Sequence, residues 1–146
     1  MSGVHTQLGA IAVTVNAVAA LIGGIAWLAR RNPKTFWILL RIGQGMIMVE
    51  AVIGATLSLT GHDLPRLHLV YGLTPIAVAF LAEQLRIMAT PTLLDQRGLS
   101  GGADVAKLPE AEQRAFVAAI LRREIGVMAT SAGIVAVLAA RAQGWL

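Results

Sequence analysis

The sequence LGAIAVTVNAVAALIGGIAWLA occupies residues 8–29, and none of its side chains carries a charge. An α-helix of this length, rising about 1.5 Å per residue, is long enough to cross a hydrocarbon core of about 30 Å. The residues before it contain no Lys or Arg, and the apolar run is longer than that of a secretory signal. We therefore expect a retained membrane-spanning helix.

The composition of the whole chain is that of a membrane protein. Of 146 residues, 56% are hydrophobic and 14% are charged, and the mean hydropathy of +0.70 lies outside the usual range of soluble proteins. Cysteine is absent, which excludes disulfides and thiolate metal sites. The pI near 10.7 does not indicate nucleic-acid binding, because ten of the twelve Lys and Arg residues lie near the ends of apolar runs, where lipid headgroups are.

Three further apolar stretches predict helices over about 35–59, 66–89 and 121–140. With 8–29 they form a single all-α domain, residues 1–146, as a four-transmembrane-helix bundle. Asn32 and Pro33 are predicted as the N-cap and first residue of the second helix. Turn residues after Leu59 leave a link so short that the second and third helices form an antiparallel hairpin. Residues 90–120 are predicted as a cytoplasmic connection, within which Pro109 begins a helix that continues into the last span.

The basic residues predict the orientation of the helices. Four cluster around the first connection, and six lie between Arg86 and Arg123; the first four are Arg30, Arg31, Lys34 and Arg41. By the positive-inside rule both connections are cytoplasmic, and the N-terminus, the hairpin at Gly61 and the C-terminus lie outside. We expect a multi-pass protein of the cell membrane, and the Ala, Val, Leu, Gly and Arg bias points to the inner membrane of a bacterium.

Glu50 is the most costly residue within a predicted span, because it lies about 13 Å from the outer end of its helix. The other three helices offer polar side chains at about the same depth: Asn16, Thr74, Thr130 and Ser131. A functional interpretation is a proton, ion or quinone site around Glu50. A structural interpretation is a hydrogen-bonded layer that fixes the register of the helices. The sequence leaves both open.

Arg41 and Glu83 lie at similar distances from the cytoplasmic ends of their helices and can form an interhelical ion pair. Arg41 and Glu50 are nine residues apart, as are Thr74 and Glu83, which places the members of each pair on nearly opposite faces of a helix. The contacts Arg41–Glu83 and Glu50–Thr74 therefore cannot both lie between the same two helices, and one of them faces a different helix or another protein. In the alternative, Arg41 extends to the headgroups and Arg86 satisfies Glu83 locally.

All three histidines, His5, His62 and His68, are predicted on the outer side. Neutral imidazole binds zinc, copper or haem iron, so His68 and His62 are candidate ligands of haem or a metal. Their spacing matches no compact metal motif, and an interfacial histidine also serves as a hydrogen-bonding anchor. The sequence does not specify which metal would bind.

The predicted hairpin carries a pattern of residues: Gln44, Glu50, Gly54, Leu59-Thr60-Gly61 and His68-Leu69. This stretch, residues 44–72, resembles one helical hairpin of the haem A synthase family, whose members are built from four-helix halves. The resemblance implies that His68 matches an axial haem-ligand position. That family pairs this histidine with one from an earlier helix, and residues 8–29 contain none, so haem would need His5, His62, a non-histidine ligand or a second subunit. The whole chain, residues 108–128 above all, also resembles uncharacterised small four-helix membrane proteins of actinobacteria.

Three functions are open. The first is a non-catalytic subunit or accessory factor of a larger bacterial membrane complex, such as a respiratory one, bound to other membrane subunits or to further copies of itself. The second is a haem- or quinone-binding membrane redox protein, and the third is an oligomeric transporter or proton pathway around Glu50. No P-loop, nucleophile elbow, dinucleotide fingerprint or zinc-protease motif is present, which favours a protein that is not an enzyme and places the first hypothesis ahead.

Overall fold

The computed structural model describes residues 2–61 and 65–146, apart from the side chain of Ser2, and is 85% helical. The helices within these residues are α1 (Ser2–Leu28), α2 (Lys34–Leu59), α3 (Arg66–Ile87), α4 (Ala89–Gln96), α5 (Gly102–Ala106) and α6 (Glu110–Ala142). No strand occurs in the described ranges. Four helical segments are long and apolar enough to cross a membrane: Gly3–Leu28, Lys34–Leu59, Arg66–Gln96 and Glu110–Ala142. The predicted all-α class with four membrane-length helices is confirmed.

Two helices begin at positions other than those predicted. α1 begins at Ser2 and not at Leu8, because the intervening residues contain no proline and continue the helix. α2 has Pro33 as its N-cap. The side chain of Asn32, predicted as this cap, instead accepts a hydrogen bond of 2.6 Å from Nε1 of Trp37.

The connection predicted over residues 90–120 is largely helical. Pro91 lies in the first turn of α4, where a missing N–H costs no helical hydrogen bond. Within α5, the carboxylate of Asp104 accepts hydrogen bonds from Nζ of Lys107 at 2.9 Å and from the Ser100 amide at 3.0 Å. The hydrogen bond from Lys107 has the largest effect, and both bonds hold the pKa of Asp104 below its usual value.

α6 is the central helix of the bundle. It begins after Pro109, and its first turns hold an ion pair between Glu110 and Arg114 at 3.0 Å. α6 packs along both α1 and α3, and α1 also packs against α2, whereas α2 and α3 make few contacts with each other. The helices therefore form an open arc in the order α2, α1, α6, α3, with a groove between α2 and α3.

The apolar core is divided into two clusters along the bundle. One comprises Ala19, Ala26, Phe36, Leu40, Ala82, Ile125, Met128, Ala129 and Ala132. The other comprises Ala12, Val13, Ile47, Val135, Ala139 and Ala140. The end of the bundle beside the second cluster, where α1 and α3 begin, carries His5 and His68 and is called the histidine end. The opposite end, where the α1–α2 connection and the start of α6 lie, is called the arginine end.

Three glycines allow neighbouring helices to approach closely. An added Cβ would meet the Phe36 ring at Gly23, the Asn16 amide at Gly43 and the Trp27 indole at Gly126. The contact at Gly43 is with a buried polar group that is held in place, because the Asn16 amide donates to the carbonyl of Ala12 at 2.9 Å. The absence of a side chain at Gly43 thus lets α2 cover a polar residue of α1.

Substitution of Gly43 by alanine is expected to destabilise the bundle, because the added methyl group would lie 2.8 Å from the Asn16 amide. Overpacking of this kind costs about 1–3 kcal/mol. Gly45→Ala is the matched control, since a Cβ there meets nothing within 4 Å and improves helix propensity. Thermal unfolding of both variants in one detergent measures the difference. A Gly43→Ala protein that melts no lower than Gly45→Ala would contradict this packing.

Candidate functional site

A cavity of about 340 Å³ lies in the groove between α2 and α3 at the histidine end. α1 and α6 contribute its floor. Much of its lining is apolar and small, including Gly9, Gly54, Gly72 and Ala139. Its ionisable groups include His5, Glu50 and His68. An apolar pocket with a few convergent polar groups is typical of small-molecule and cofactor sites.

His5 of α1 lies against Glu50 of α2. Nδ1 of His5 is 2.6 Å from Oε2 of Glu50, although the angle is not that of a hydrogen bond. The two side chains are only 15% and 12% exposed. Nε2 of His5 and Oε1 of Glu50 are buried and have no hydrogen-bonding partner among the residues described. Because unpaired buried polar atoms are costly, these two atoms are suited to contact a ligand.

His68, at the start of α3, is held by the end of α6. Its Nδ1 lies 3.0 Å from the backbone carbonyl oxygen of Ala142. Since a carbonyl only accepts hydrogen bonds, Nδ1 carries the proton and donates it, and Nε2 of the neutral ring keeps its lone pair. His68 can therefore bind a metal or accept a hydrogen bond through Nε2.

The imidazole rings of His5 and His68 meet edge to face, with ring centres 5.7 Å apart and planes at 73°. Each ring has its Nδ1 against an acceptor, the carboxylate of Glu50 or the carbonyl of Ala142. A histidine that binds a metal usually donates its other ring N–H to such a carboxylate or carbonyl, which fixes the ring and its tautomer. His68 has this arrangement, whereas Nδ1 of His5 lies 2.6 Å from the Glu50 carboxylate without the angle of a hydrogen bond.

The described residues do not favour a site for an isolated metal ion. Within 2–61 and 65–146, no group of three or more His, Cys, Asp or Glu side chains is placed to hold one, whereas protein zinc sites use three or four such ligands. The other predicted ligand, His62, lies outside the described residues. Two histidines suit a metal that brings its remaining ligands with it, as haem iron does.

A second polar cluster lies in the groove nearer the arginine end. Arg41 of α2 forms an ion pair with Glu83 of α3. Gln44 bridges them, accepting from Nη1 of Arg41 at 2.7 Å and donating to Oε1 of Glu83 at 3.1 Å. Nε of Arg86 also donates to Glu83, at 2.9 Å. The two arrangements considered as alternatives for Glu83, pairing across helices and pairing with Arg86, thus occur together.

The nine-residue separation of Arg41 and Glu50 directs them to different neighbours. Arg41 faces Glu83 of α3, and Glu50 faces His5 of α1. The two side chains of α2 therefore contact different helices, as expected for residues on nearly opposite faces of one helix.

The structure does not join the five polar residues expected at one depth: Asn16, Glu50, Thr74, Thr130 and Ser131. The hydroxyls of Thr74 and Thr130 donate to carbonyls four residues earlier in their own helices, and the amide of Asn16 does the same. Ser131 is buried on α6. No hydrogen bond links two of the five in the described part of the chain. The reason is local, because a threonine hydroxyl within a helix reaches the carbonyl of its own preceding turn.

His5 is the site residue that sequence reasoning underrated, leaving it as one of four alternatives for a second ligand. The predicted helix began at Leu8, so His5 had no fixed direction. In α1, His5, Gly9 and Ala12 are spaced i, i+4, i+7 and line the cavity together. This spacing is the signal by which the sequence could have indicated His5.

Comparison with protein-family models, with curated proteins and with solved structures found no match for the chain. The resemblance of residues 44–72 to a haem A synthase hairpin therefore stays a prediction. The function has to be argued from the site itself.

Proposed function

We propose that the protein is an integral membrane haem protein in which His5 and His68 are the axial ligands of the iron. The observation that carries this proposal is the pair of imidazole rings, 5.7 Å apart at their centres, with both Nδ1 atoms against acceptors. The ring nitrogens of His5 and His68 would hold the iron between the first turns of α1 and α3.

The surroundings of the two histidines also suit haem. The cavity has an apolar lining, and the scarcity of contacts between α2 and α3 allows a macrocycle to extend toward the lipid. Glu50 and the carbonyl of Ala142 orient the two rings. Bound haem would supply one-electron redox chemistry. Since two histidine ligands leave no iron position for a substrate, we infer electron transfer as the activity.

We propose in addition that the four membrane-length helices span a cell membrane, with the histidine end outside and the arginine end in the cytoplasm. The distribution of basic residues supports this orientation, because only Arg66 and Arg141 of the twelve lie at the histidine end. The haem would then lie near the outer surface, within reach of an external redox partner.

A quinone is a second candidate ligand. It is favoured by the unpartnered, buried atoms of His5 and Glu50 at a cavity that opens between two helices. These groups suit the carbonyl oxygens of a quinone headgroup, and the gap between α2 and α3 suits an apolar tail. The accessory-subunit and transporter hypotheses stay predictions, since no feature of the described residues is specific to either.

The test is the visible absorption spectrum of the full chain, purified in mild detergent from cells supplied with a haem precursor. We expect a Soret band, an α band after dithionite reduction and about one haem per chain. His68→Ala should lose both bands. Leu67→Ala is the matched control, because this neighbouring side chain is 68% exposed and does not line the cavity, and it should keep the spectrum.

A colourless protein that also fails to bind added haemin would overturn the haem proposal. Organic extraction of the same preparation then tests the second candidate. A quinone that co-purifies with the wild type and is lost in Glu50→Ala would assign the cavity to a quinone.

A further inference from the structure

A second cavity, of about 560 Å³, lies at the arginine end between the α1–α2 connection and α6. One part of its lining is basic and consists of Arg30, Arg31, Arg122 and Arg123. Another part is apolar, formed by Trp27 and by small residues on one face of α6, Ala115, Ala118 and Ala119. The cavity therefore presents positive charge beside an apolar wall, as a site for an anionic amphiphile does.

The four arginines have no acidic partner in the described residues. The ion pairs of this end engage other side chains, those of Arg41, Arg86, Lys107 and Arg114. None of the described Asp and Glu residues lines the cavity. Arg122 is positioned by a cation–π contact, with its guanidinium carbon 5.7 Å from the centre of the Trp27 ring. Four unneutralised cations around one cavity favour the binding of an anion.

The backbone conformation of Arg30 indicates that this residue does more than supply positive charge. Its φ is 54°, and among the described residues it is the one non-glycine residue with positive φ. It follows the end of α1, a position that helices commonly give to glycine, and the Arg31 amide closes the turn on the carbonyl of Ala26 at 2.8 Å. A side chain in this conformation is strained. The chain nevertheless places here an arginine that lines the cavity, and such strain is common at functional sites.

We propose that this cavity binds the headgroup of an anionic phospholipid and prefers a headgroup with two phosphates. Guanidinium groups bind phosphate through paired hydrogen bonds, and four of them match two phosphates. The wall around Trp27 and Ile125 favours a lipid over a soluble phosphate compound, because it can cover an acyl chain. Basic pockets between membrane helices on the cytoplasmic side bind such headgroups. This site is independent of the haem proposal.

The experiment is native mass spectrometry of the purified chain titrated with cardiolipin, phosphatidylglycerol, phosphatidylcholine and inorganic pyrophosphate in one detergent. We expect cardiolipin to bind at least about tenfold more tightly than phosphatidylcholine. The double variant Arg31→Gln with Arg123→Gln should weaken cardiolipin binding by a similar factor. The control is Lys107→Gln with Arg114→Gln, which removes two positive charges at the same end but outside the cavity lining, and it should bind within about twofold of the wild type.

Arg30→Gly supplies a second test, because a misfolded variant could not show both a higher melting temperature and a weaker affinity for cardiolipin. Glycine relieves the strain at φ 54°, so without lipid this variant should melt at a higher temperature than the wild type. It also removes one guanidinium group, so its cardiolipin affinity should fall. Equal weakening in both double variants would overturn the site, because it would assign binding to general positive charge. Pyrophosphate binding tighter than that of cardiolipin would overturn the choice of a lipid.

Discussion

Replacement of His5 by alanine is expected to lower the haem content of the purified protein at least about tenfold, because it removes one of the two proposed iron ligands. The haem that remains would be held by His68 alone and should lose the sharp reduced α band of iron with two imidazole ligands. The helix itself should persist, since His5 lies in the first two turns of α1 and the buried contacts of that helix lie further along it. The measurement is the reduced spectrum together with haem per chain.

Val4→Ala is the control for His5→Ala, because Val4 is adjacent in α1 and 58% exposed. It should leave the spectrum unchanged. Free imidazole added to His5→Ala should restore the α band, since the lost ring leaves a space of the same shape beside Glu50. A His5→Ala spectrum identical to that of the wild type would show that His5 is not a ligand, and the search would then move to a different second ligand.

Gly9→Leu is expected to abolish haem binding without removing a ligand. A Cβ at Gly9 would overlap the side-chain amide of Gln143 and lie 3.4 Å from Oε2 of Glu50. Gln143 follows the end of α6 and is partly exposed, so its side chain can move aside and the bundle should still form. The added isobutyl group then occupies the cavity beside His5. We expect the haem content to be at most about a tenth of that of the wild type. This loss is comparable with the loss expected when an iron ligand is removed.

Gly3→Leu is the matched control on the same helix, because nothing lies within 4 Å of a Cβ at Gly3. It should keep both haem and melting temperature. His68→Ala is expected to lack haem as well, so its melting temperature is the reference for a folded chain without haem. If Gly9→Leu melts near that temperature, its loss of haem is due to a filled cavity and not to misfolding. Full haem content in Gly9→Leu would place the cofactor outside this cavity.

The membrane-length helices could be predicted because hydropathy over about twenty residues is a local property of the sequence. The start of α1 could not be predicted, since the residues from Ser2 to Gln7 are mostly polar and become helical as an extension of the apolar run. α4 and α5 were missed for a similar reason. They are short, and residues such as Pro91 and Gly101 are also typical of loops.

At the site, the sequence indicated which residues matter but not which of them meet. Glu50 and Arg41 were identified because a charged side chain within a membrane span costs free energy, and His68 because its imidazole can bind a metal. That His5, and not Thr74, faces Glu50 depends on the rotation of α1 about its axis and on the order of helices in the arc. Both are set by packing between distant segments, which no local pattern encodes.

Because α2 and α3 make few contacts, the bundle is held together by α1 and α6 and does not depend on a ligand between the other two helices. If the chain is the membrane haem or quinone protein proposed above, insertion of the chain and loading of the ligand would be separate events. A ligand dissolved in the bilayer would enter sideways between α2 and α3 after the helices have assembled, with no need of a carrier through water. The supply of that ligand in the membrane, and not the rate of translation, would set how much of the protein is active.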